Sequence, residues 1–270
     1  MQPPLIQVES LRKLYRSGKG LNSGPVVPAI NEVSFSIAPG ITLALVGESG
    51  SGKTTLALCL ACFERPTSGR IWFGGRDIAA LKEKQLRVVR PQIQLVFQDP
   101  ASSLNPRLTA HEIVTEPLLL QRNWQERQMR ERGFALLERV GLSMEVASRR
   151  ARELSGGQRQ RLVIARALSL EPKLLILDEA LSALDCSTQA QIANLLVELQ
   201  TSSALTFLFI THDLAMAAHL ADEIAVMNRG QIVEQGAPER LLASPQHDAT
   251  RSLIAAMPRA IVRPHVFGAC

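Results

Sequence analysis

Short apolar runs alternate with helical patterns along most of this chain. Runs rich in β-branched residues occur at 41–46, 93–97, 174–177 and 207–211. They are too short for buried helices and show little polar–apolar alternation, which is typical of parallel strands buried on both faces. The pattern therefore predicts an α/β fold built on a parallel core sheet.

Three segments near the beginning have a different character, at 6–8, 30–37 and 69–73. They read as strands of a separate antiparallel β subdomain. Further along, residues 225–233 (AVMNRGQIV) predict a β-hairpin, and Gly230 is the residue that can supply its turn.

Between about 100 and 170 the pattern becomes helical. In 109–121 and 125–140, charged residues are interleaved with apolar residues at helical spacing, and Gly141 stands where a helix C-cap belongs. We therefore predict a mainly helical subdomain inserted between two strands of the core sheet.

The domain organisation follows from these patterns. One domain is assigned to 1–257, with a short C-terminal tail at 237–270 that has a helical pattern at 250–257. No internal repeat of 20–50 residues is visible.

Composition narrows the class of protein. Hydrophobic residues make up 46% of the chain and charged residues 20%, which is ordinary for a globular protein. The net charge of +5 is mild, and aromatic residues are only 4%, so we expect no nucleic-acid partner. The longest apolar runs fall short of the roughly 18–20 residues that span a bilayer, and the beginning does not resemble a signal peptide. We expect a cytoplasmic chain that is not itself a membrane pore.

The four cysteines are Cys59, Cys62, Cys186 and Cys270. The first two form a C-x-x-C pair, which can indicate redox chemistry or half of a metal site. No second pair follows, and both lie in an apolar stretch. We interpret them as small core residues of a helix.

The segment GESGSGKTT matches G-x-x-x-x-G-K-[ST] and lies between a predicted strand and a helical pattern. Its glycines let backbone N–H groups approach phosphate oxygens, because no Cβ blocks them. The helix N-terminus adds partial positive charge at the same place. The candidate nucleotide ligands are Gly47, Glu48, Ser49, Gly50, Ser51, Gly52, Lys53, Thr54 and Thr55.

Roles within this site follow from residue type. Lys53 is expected to reach the β- and γ-phosphates, and the Thr54 hydroxyl to hold Mg²⁺. Asp178 and Glu179 end a buried strand, where ligands bind in open α/β sheets. Asp178 is the candidate Mg²⁺ ligand, mostly through water, and Glu179 the candidate base for the attacking water. The alternative is that both carboxylates only cap the next helix.

The segment LSGGQRQR, which we call the signature segment, covers 154–161. Ser155 and Gln158 have the spacing of a capping box, so a helix that begins here would present free N–H groups suited to an anion. The segment also matches the signature sequence of the ATP-binding cassette (ABC) family residue for residue, a sequence that phosphate-loop proteins in general lack. The chain therefore resembles that family.

Other family elements occur in the expected order between about 5 and 257. Tyr15 resembles the aromatic residue that stacks on adenine, and Gln98, in VFQDP, resembles the glutamine that contacts Mg²⁺ and the attacking water. Asp185, in SALD, resembles the loop that crosses a dimer interface, and His212, in ITHD, the histidine that contacts the γ-phosphate. Taken singly, a lone aromatic residue at a strand end such as Tyr15 is usually a packing residue, and His212 could equally be a satisfied polar residue at a strand end.

The resemblance implies the fold of phosphate-loop NTPases of the ABC type, ATP and Mg²⁺ as cofactors, and ATP hydrolysis that powers solute transport. It implies a head-to-tail dimer in which the signature segment of each subunit serves the nucleotide of its partner, through Ser155, Gly156, Gly157 and Gln158. The implied partners are a second ATPase subunit (a different chain or a second copy), two membrane-spanning permease subunits and an external solute-binding protein. The implied location is the cytoplasmic face of the bacterial inner membrane.

Three segments narrow the branch of the family. QDPASSLNPR at 98–107 resembles the extended glutamine loop of peptide and nickel importers. SPQHDATRSL at 244–253 is similar to their H-P-Y-T-R-x-L tail, although Asp248 and Ala249 depart from it, and the stretch 15–29 resembles the longer first loop of their second ATPase. The implied cargo is a peptide, nickel or a metal chelate. Only Cys270 follows the ATPase, so no iron–sulfur cluster is expected.

Two other functions compete with transport. A soluble ATPase of the same family can act in an enzyme complex, as in phosphonate degradation, and its sequence can look much like this one. A DNA- or ribosome-associated mechanical ATPase is less compatible, because such relatives carry two cassettes, long coiled coils or zinc inserts that are not seen here.

Overall fold

The computed structural model describes residues 3–16, 25–99, 103–119 and 124–257. The strands within these ranges are β1 (Ile6–Arg16), β2 (Val26–Ile37), β3 (Thr42–Val46), β4 (Ser68–Phe73), β5 (Arg76–Asp77), β6 (Ile93–Val96), β7 (Leu174–Asp178), β8 (Thr206–Thr211), β9 (Glu223–Asn228) and β10 (Gln231–Gly236). The α-helices are α1 (Lys53–Leu60), α2 (Glu83–Val89), α3 (Ala110–Leu119), α4 (Glu126–Arg139), α5 (Gly156–Leu168), α6 (Cys186–Ser203), α7 (Leu214–Leu220), α8 (Pro238–Ala243) and α9 (Asp248–Ala255).

The core is a six-stranded sheet in the order β10-β9-β3-β8-β7-β6. Its first five strands in sequence run parallel, and β10 pairs antiparallel with β9 at one edge. Every residue of β3, β7 and β8 is buried, which explains their continuous apolar runs. The predicted parallel core sheet is confirmed.

The second sheet is antiparallel, in the order β2-β1-β4-β5. This confirms the predicted antiparallel sheet, but β1 continues to Arg16, well beyond the predicted end at residue 8. Register shifts interrupt its pairing with β2 after Val8, and Ser10 has a positive φ of 44°. Such bulges break the period of two that the sequence pattern relies on, so the second half of β1 was missed.

The described chain between β6 and β7 is helical, and its main elements are α3, α4 and α5. Gly141 follows α4 with a φ of 70°, so the predicted C-cap glycine is confirmed. In the hairpin of β9 and β10, Gly230 has a φ of 80°, as expected for the turn. Gln121, the predicted end of the first of these helices, lies outside the described residues.

The two faces of the core sheet bury different apolar clusters. Alternate residues such as Leu43 and Leu45 pack with the antiparallel sheet and α1. Their neighbours Ala44 and Val46 pack with helices α3 to α7. The sheet therefore holds α1 on one side and the helical segment on the other, with the carboxyl ends of β3, β7 and β8 at a common edge.

The cysteines only partly follow the prediction. Cys59 is buried within α1, but Cys62 lies beyond the helix end with a φ of 58° and is partly exposed. Cys62 therefore lies outside the helix, and Cys270 lies outside the described residues. Among the described helices, none combines the length and the apolar character needed to cross a membrane.

Candidate active site

The phosphate loop (47–52) joins β3 to α1. Gly52 caps α1 with a φ of 108°, and a Cβ at this position would lie 2.2 Å from the carbonyl oxygen of Ala29. Only glycine fits there without movement of the backbone. The backbone N–H of Gly230 donates to the carbonyl oxygen of Ser51 at 2.9 Å, so the hairpin of β9 and β10 braces the loop.

Lys53 is the first residue of α1, and only 5% of it is exposed. Its Nζ donates to the carbonyl oxygens of Gly47 and Glu48 at 2.8 Å each and lies 3.4 Å from Oγ of Ser51. Burial lowers the pKa of Lys53, and the carboxylates of the β7 end oppose that shift. The ammonium group is thus held inside the curve of the loop, where phosphate oxygens can replace the carbonyl partners.

Asp178 ends β7 and is 5% exposed. Burial raises the pKa of this carboxyl group, while its interaction with the Thr54 side chain lowers it. Oδ1 of Asp178 has no hydrogen-bond partner in the described part of the chain. A buried carboxylate oxygen without a donor, beside a threonine hydroxyl, fits the oxygen ligands that Mg²⁺ prefers.

Glu179 follows β7 in the left-handed region, with a φ of 48°. Its N–H donates to the carbonyl oxygen of Ile210 at 2.9 Å, which fixes the residue against β8. Nδ1 of His212 lies 3.6 Å from Oε2 of Glu179. A backbone strained in this way is often found at catalytic positions. The Glu179 carboxylate also lines the cleft that contains Lys53 and Asp178.

One cleft of about 370 Å³ brings several predicted residues together. It is lined by Ala29, Ser49, Gly50, Gly52, Lys53, Thr54, Thr55, Gln98, Asp178 and Glu179. Gly47, Glu48 and Ser51 instead turn oxygens toward the Lys53 ammonium. Ala29 was not predicted, because its sequence neighbourhood carries no nucleotide motif. His212 lines a neighbouring cleft that shares Glu179.

Tyr15 lies near the end of β1 and is 38% exposed. Its hydroxyl donates to Oε2 of Glu64 at 2.6 Å, and the Thr55 side chain on the first turn of α1 also approaches the phenol. Burial, followed by the bond to Glu64, raises the pKa of Tyr15 to about 12. The ring is therefore beside the phosphate loop, although it does not line the cleft itself.

The signature segment begins α5 with the predicted capping box. Oγ of Ser155 accepts from the N–H of Gln158 at 3.2 Å, and Oε1 of Gln158 accepts from the N–H of Ser155 at 3.0 Å. Gly157 faces Thr188 of α6. Asp185 caps α6 by accepting from the Thr188 N–H at 2.9 Å, and this bond lowers its pKa. None of these residues lines the cleft in the single chain.

Comparison with known proteins gives a consistent result. The family model described as ABC transporter matches residues 30–182. The "Probable peptide ABC transporter ATP-binding protein y4tS" of Sinorhizobium fredii is 51% identical over 260 residues, which cover 96% of this chain and 74% of the relative. The dipeptide transport ATP-binding protein DppF of Escherichia coli is 42% identical over 260 residues, with 96% and 78% covered.

Solved structures agree with the fold. The chain superposes on cbiO1 from Clostridium perfringens, part of the ABC transporter complex cbiONQ, with a TM-score of 0.80 and 30% identity over 96% of this chain and 98% of the other. It also superposes on the ATP-binding cassette MJ0796 in a dimeric post-hydrolysis state bound to ADP and Pi, with a TM-score of 0.76, 28% identity and coverages of 86% and 98%. Together with the phosphate loop, the signature segment and the carboxylates at the end of β7, these matches show that the chain is an ATPase that belongs to the ABC transporter family.

Proposed function

We propose that this chain is the ATP-hydrolysing subunit of an importer for peptides. The observation that carries this proposal is a similarity to peptide and dipeptide transport ATP-binding proteins that extends over 96% of the chain. Nickel or a metal chelate is the other cargo that the QDPASSLNPR and tail segments allow. The extents of the domain (1–257), of its helical subdomain (about 100–170) and of the tail (237–270) belong to the same proposal.

The arrangement of the cleft supports a distinct role for each side chain in nucleotide binding or hydrolysis. Lys53 binds the β- and γ-phosphates, helped by backbone N–H groups of the phosphate loop. Glu179 accepts the proton of the attacking water, and His212 beside it contacts the γ-phosphate. Tyr15 stacks on the adenine, because its ring is exposed beside Thr55 at the open end of the loop.

Mg²⁺ fits the oxygen atoms at the inner end of the cleft. Thr54, Gln98 and Asp178 would hold it, directly or through water. When bound, the ion neutralises phosphate charge that develops during transfer of the γ-phosphoryl group. No cluster of three or more histidine, cysteine or carboxylate ligands occurs in the described ranges, so any such ion would depend on these few oxygens, water and phosphate.

The position of the signature segment supports a role in binding the nucleotide of a second subunit. The α5 N-terminus carries backbone N–H groups and partial positive charge, while Ser155, Gly156, Gly157 and Gln158 stay outside their own cleft. A head-to-tail dimer would place this end on the γ-phosphate of the opposite cleft, and the Asp185 loop would cross the interface beside it. The second subunit is a different chain or a second copy.

A groove between the helical segment and the core sheet is the proposed contact for the permease. It has a volume of about 490 Å³ and lies between β6, α3 and α5. Phe97 at its wall is 40% exposed and Leu119 is 64% exposed. Phe97 directly precedes Gln98, which lines the active-site cleft. A partner that binds the groove and displaces Phe97 would therefore also displace Gln98.

The remaining partners complete the importer. Two membrane-spanning permease subunits would bind the two grooves of the dimer, and an external solute-binding protein would deliver the cargo. The ATPase would then lie peripherally on the cytoplasmic face of the bacterial inner membrane. No nucleic-acid partner is proposed.

Co-purification tests the transport function. The tagged chain is extracted with detergent from membranes of its native cell, and co-extracted proteins are identified by mass spectrometry. We expect multi-spanning proteins, and ATP hydrolysis by the complex that rises when a solute-binding protein loaded with peptide is added. Recovery only with soluble enzymes would favour the phosphonate-type complex. Stimulation of ATP hydrolysis by nickel but not by peptides would show that the cargo is nickel and not a peptide.

A further inference from the structure

The candidate adenine platform is held by a residue that no nucleotide motif contains. Glu64 lies just beyond α1, and its Oε2 accepts the Tyr15 hydroxyl at 2.6 Å. The same oxygen lies 2.7 Å from Nζ of Lys13. Nζ of Lys13 is also 5.0 Å from the centroid of the Tyr15 ring. The Glu64 carboxylate therefore contacts both members of a cation–ring pair, the Lys13 ammonium and the Tyr15 hydroxyl.

We propose that Glu64 is a positioning residue for the nucleobase. It binds the Tyr15 hydroxyl directly, and it also holds Lys13 over one face of the Tyr15 ring, so that the other face is left for adenine. This inference rests on the proposed role of Tyr15 as the base platform.

Two partners hold the Lys13 ammonium group in place. Besides Glu64, it donates to the carbonyl oxygen of Arg65 at 2.8 Å, and only 15% of the Lys13 side chain is exposed. A cation held over one face of an aromatic ring is favourable, and it also excludes a base from that face. Adenine would therefore stack on the opposite face.

The hydroxyl bond fixes the position of the Tyr15 ring. Tyr15 is partly exposed, so packing alone constrains its side-chain torsions weakly. A short hydrogen bond to a carboxylate is stronger than one between neutral groups. A ring that is ordered before the base arrives loses less conformational entropy on binding, and this lowers the dissociation constant.

Protonation supports these donor and acceptor roles. The bonds from Lys13 and then Tyr15 lower the pKa of Glu64, whereas burial and then Glu64 raise the pKa of Tyr15 to about 12. At neutral pH the carboxylate is ionised and the phenol keeps its proton.

Calorimetry on the full chain tests the proposal with two probes, ATP and inorganic tripolyphosphate, each with Mg²⁺. Tyr15→Phe removes only the hydroxyl, and Glu64→Ala removes its acceptor. Each should raise the dissociation constant for ATP by about 3- to 10-fold and leave tripolyphosphate binding unchanged. The double variant should be no weaker than the weaker single variant, because both changes break the same bond. Glu131→Ala breaks a surface ion pair with Arg127 and serves as the matched control.

The outcomes separate this inference from the proposed function. Unchanged ATP affinity in Tyr15→Ala would overturn the base platform itself. Weaker ATP binding in Tyr15→Ala with normal binding in Tyr15→Phe would overturn the role of Glu64 alone. Fully additive losses in the double variant would also overturn it. Since Tyr15→Phe leaves the Lys13–Glu64 ion pair in place, the test stands even if Glu64→Ala fails to fold.

Discussion

The side-chain amide of Gln98 donates a hydrogen bond to the hydroxyl of Ser182, with a nitrogen-to-oxygen distance of 3.2 Å. The Ser182 hydroxyl in turn donates to the carbonyl oxygen of Glu179 at 2.9 Å. The glutamine next to the proposed permease groove is therefore bonded to the segment that carries the candidate base. If Gln98 contacts a magnesium–nucleotide complex as proposed, we expect its bond to Ser182 to break.

Removal of the Ser182 hydroxyl should release Gln98. We expect Ser182→Ala to bind magnesium–ATP roughly fivefold more tightly, because one hydrogen bond worth about 1 kcal/mol no longer competes with the nucleotide. The measurement is calorimetric titration in a Glu179→Gln background, where turnover does not interfere. Ser148→Ala is the control, since Ser148 also donates to a carbonyl oxygen three residues earlier. Weaker binding in Ser182→Ala would contradict the competition.

Glu179→Gln tests the assigned base. The amide keeps the size of the side chain but cannot accept a proton from water, so turnover should fall on the order of 100- to 10,000-fold while ATP binding is kept. ATP hydrolysis and ATP affinity are measured in the assembled complex. Glu198→Gln, on the exposed side of α6, should hydrolyse ATP normally. Hydrolysis at the wild-type rate by Glu179→Gln would rule out this assignment.

Asp178→Asn should weaken magnesium binding and stabilise the empty protein. Loss of the carboxylate charge should raise the Mg²⁺ concentration for half-maximal ATP hydrolysis by about tenfold or more. Burial raises the pKa of Asp178 in the folded state, so the ionised group costs stability above its unfolded pKa, and this cost disappears as the pH falls below that value. Without nucleotide or Mg²⁺, the variant should therefore unfold at a higher temperature than wild type at pH 7.

The stability difference gives Asp178→Asn its own check. Because the cost belongs to the ionised carboxylate, wild type and variant should converge in thermal stability at acidic pH. A variant that is less stable than wild type at pH 7 would show that the Asp178 charge is compensated within the empty fold.

Gly157→Ala should disturb the contact between α5 and α6. A Cβ at Gly157 would lie 2.5 Å from Cγ2 of Thr188, and the Thr188 hydroxyl is bonded to Asp185 at 2.7 Å, so the side chain cannot simply rotate away. We expect a loss of about 1–3 kcal/mol in the free energy of unfolding, measured by urea denaturation.

A second substitution distinguishes this clash from other effects of Gly157→Ala. Thr188→Ser removes Cγ2 and keeps the hydroxyl that binds Asp185. The combined variant Gly157→Ala with Thr188→Ser should regain most of the lost stability, and Thr188→Ser alone is the control. No recovery would mean that the close approach is not the cause.

The features that depend on local pattern could be predicted from the amino acids alone. Strands β3, β7 and β8 were predicted to within about one residue, because a strand buried on both faces leaves an uninterrupted apolar run. The capping box at Ser155 was predicted because its two hydrogen bonds join residues three apart. The phosphate loop was recognisable for the same reason, since its glycines, Lys53 and Thr54 are consecutive.

Contacts between residues far apart in the chain could not be predicted in this way. Tyr15 meets Glu64 across 49 positions and Gln98 meets Ser182 across 84, and no local pattern encodes either pair. The same holds for Ala29, whose carbonyl oxygen closes on Gly52. The predicted strand β1 ended too early because bulges interrupt its polar–apolar alternation, and the position of a bulge depends on the pairing partner. The residues of the candidate nucleotide site could be identified from local motifs, because these residues are close in the sequence. The side chains that hold them in place could not, because those contacts form only through long-range packing.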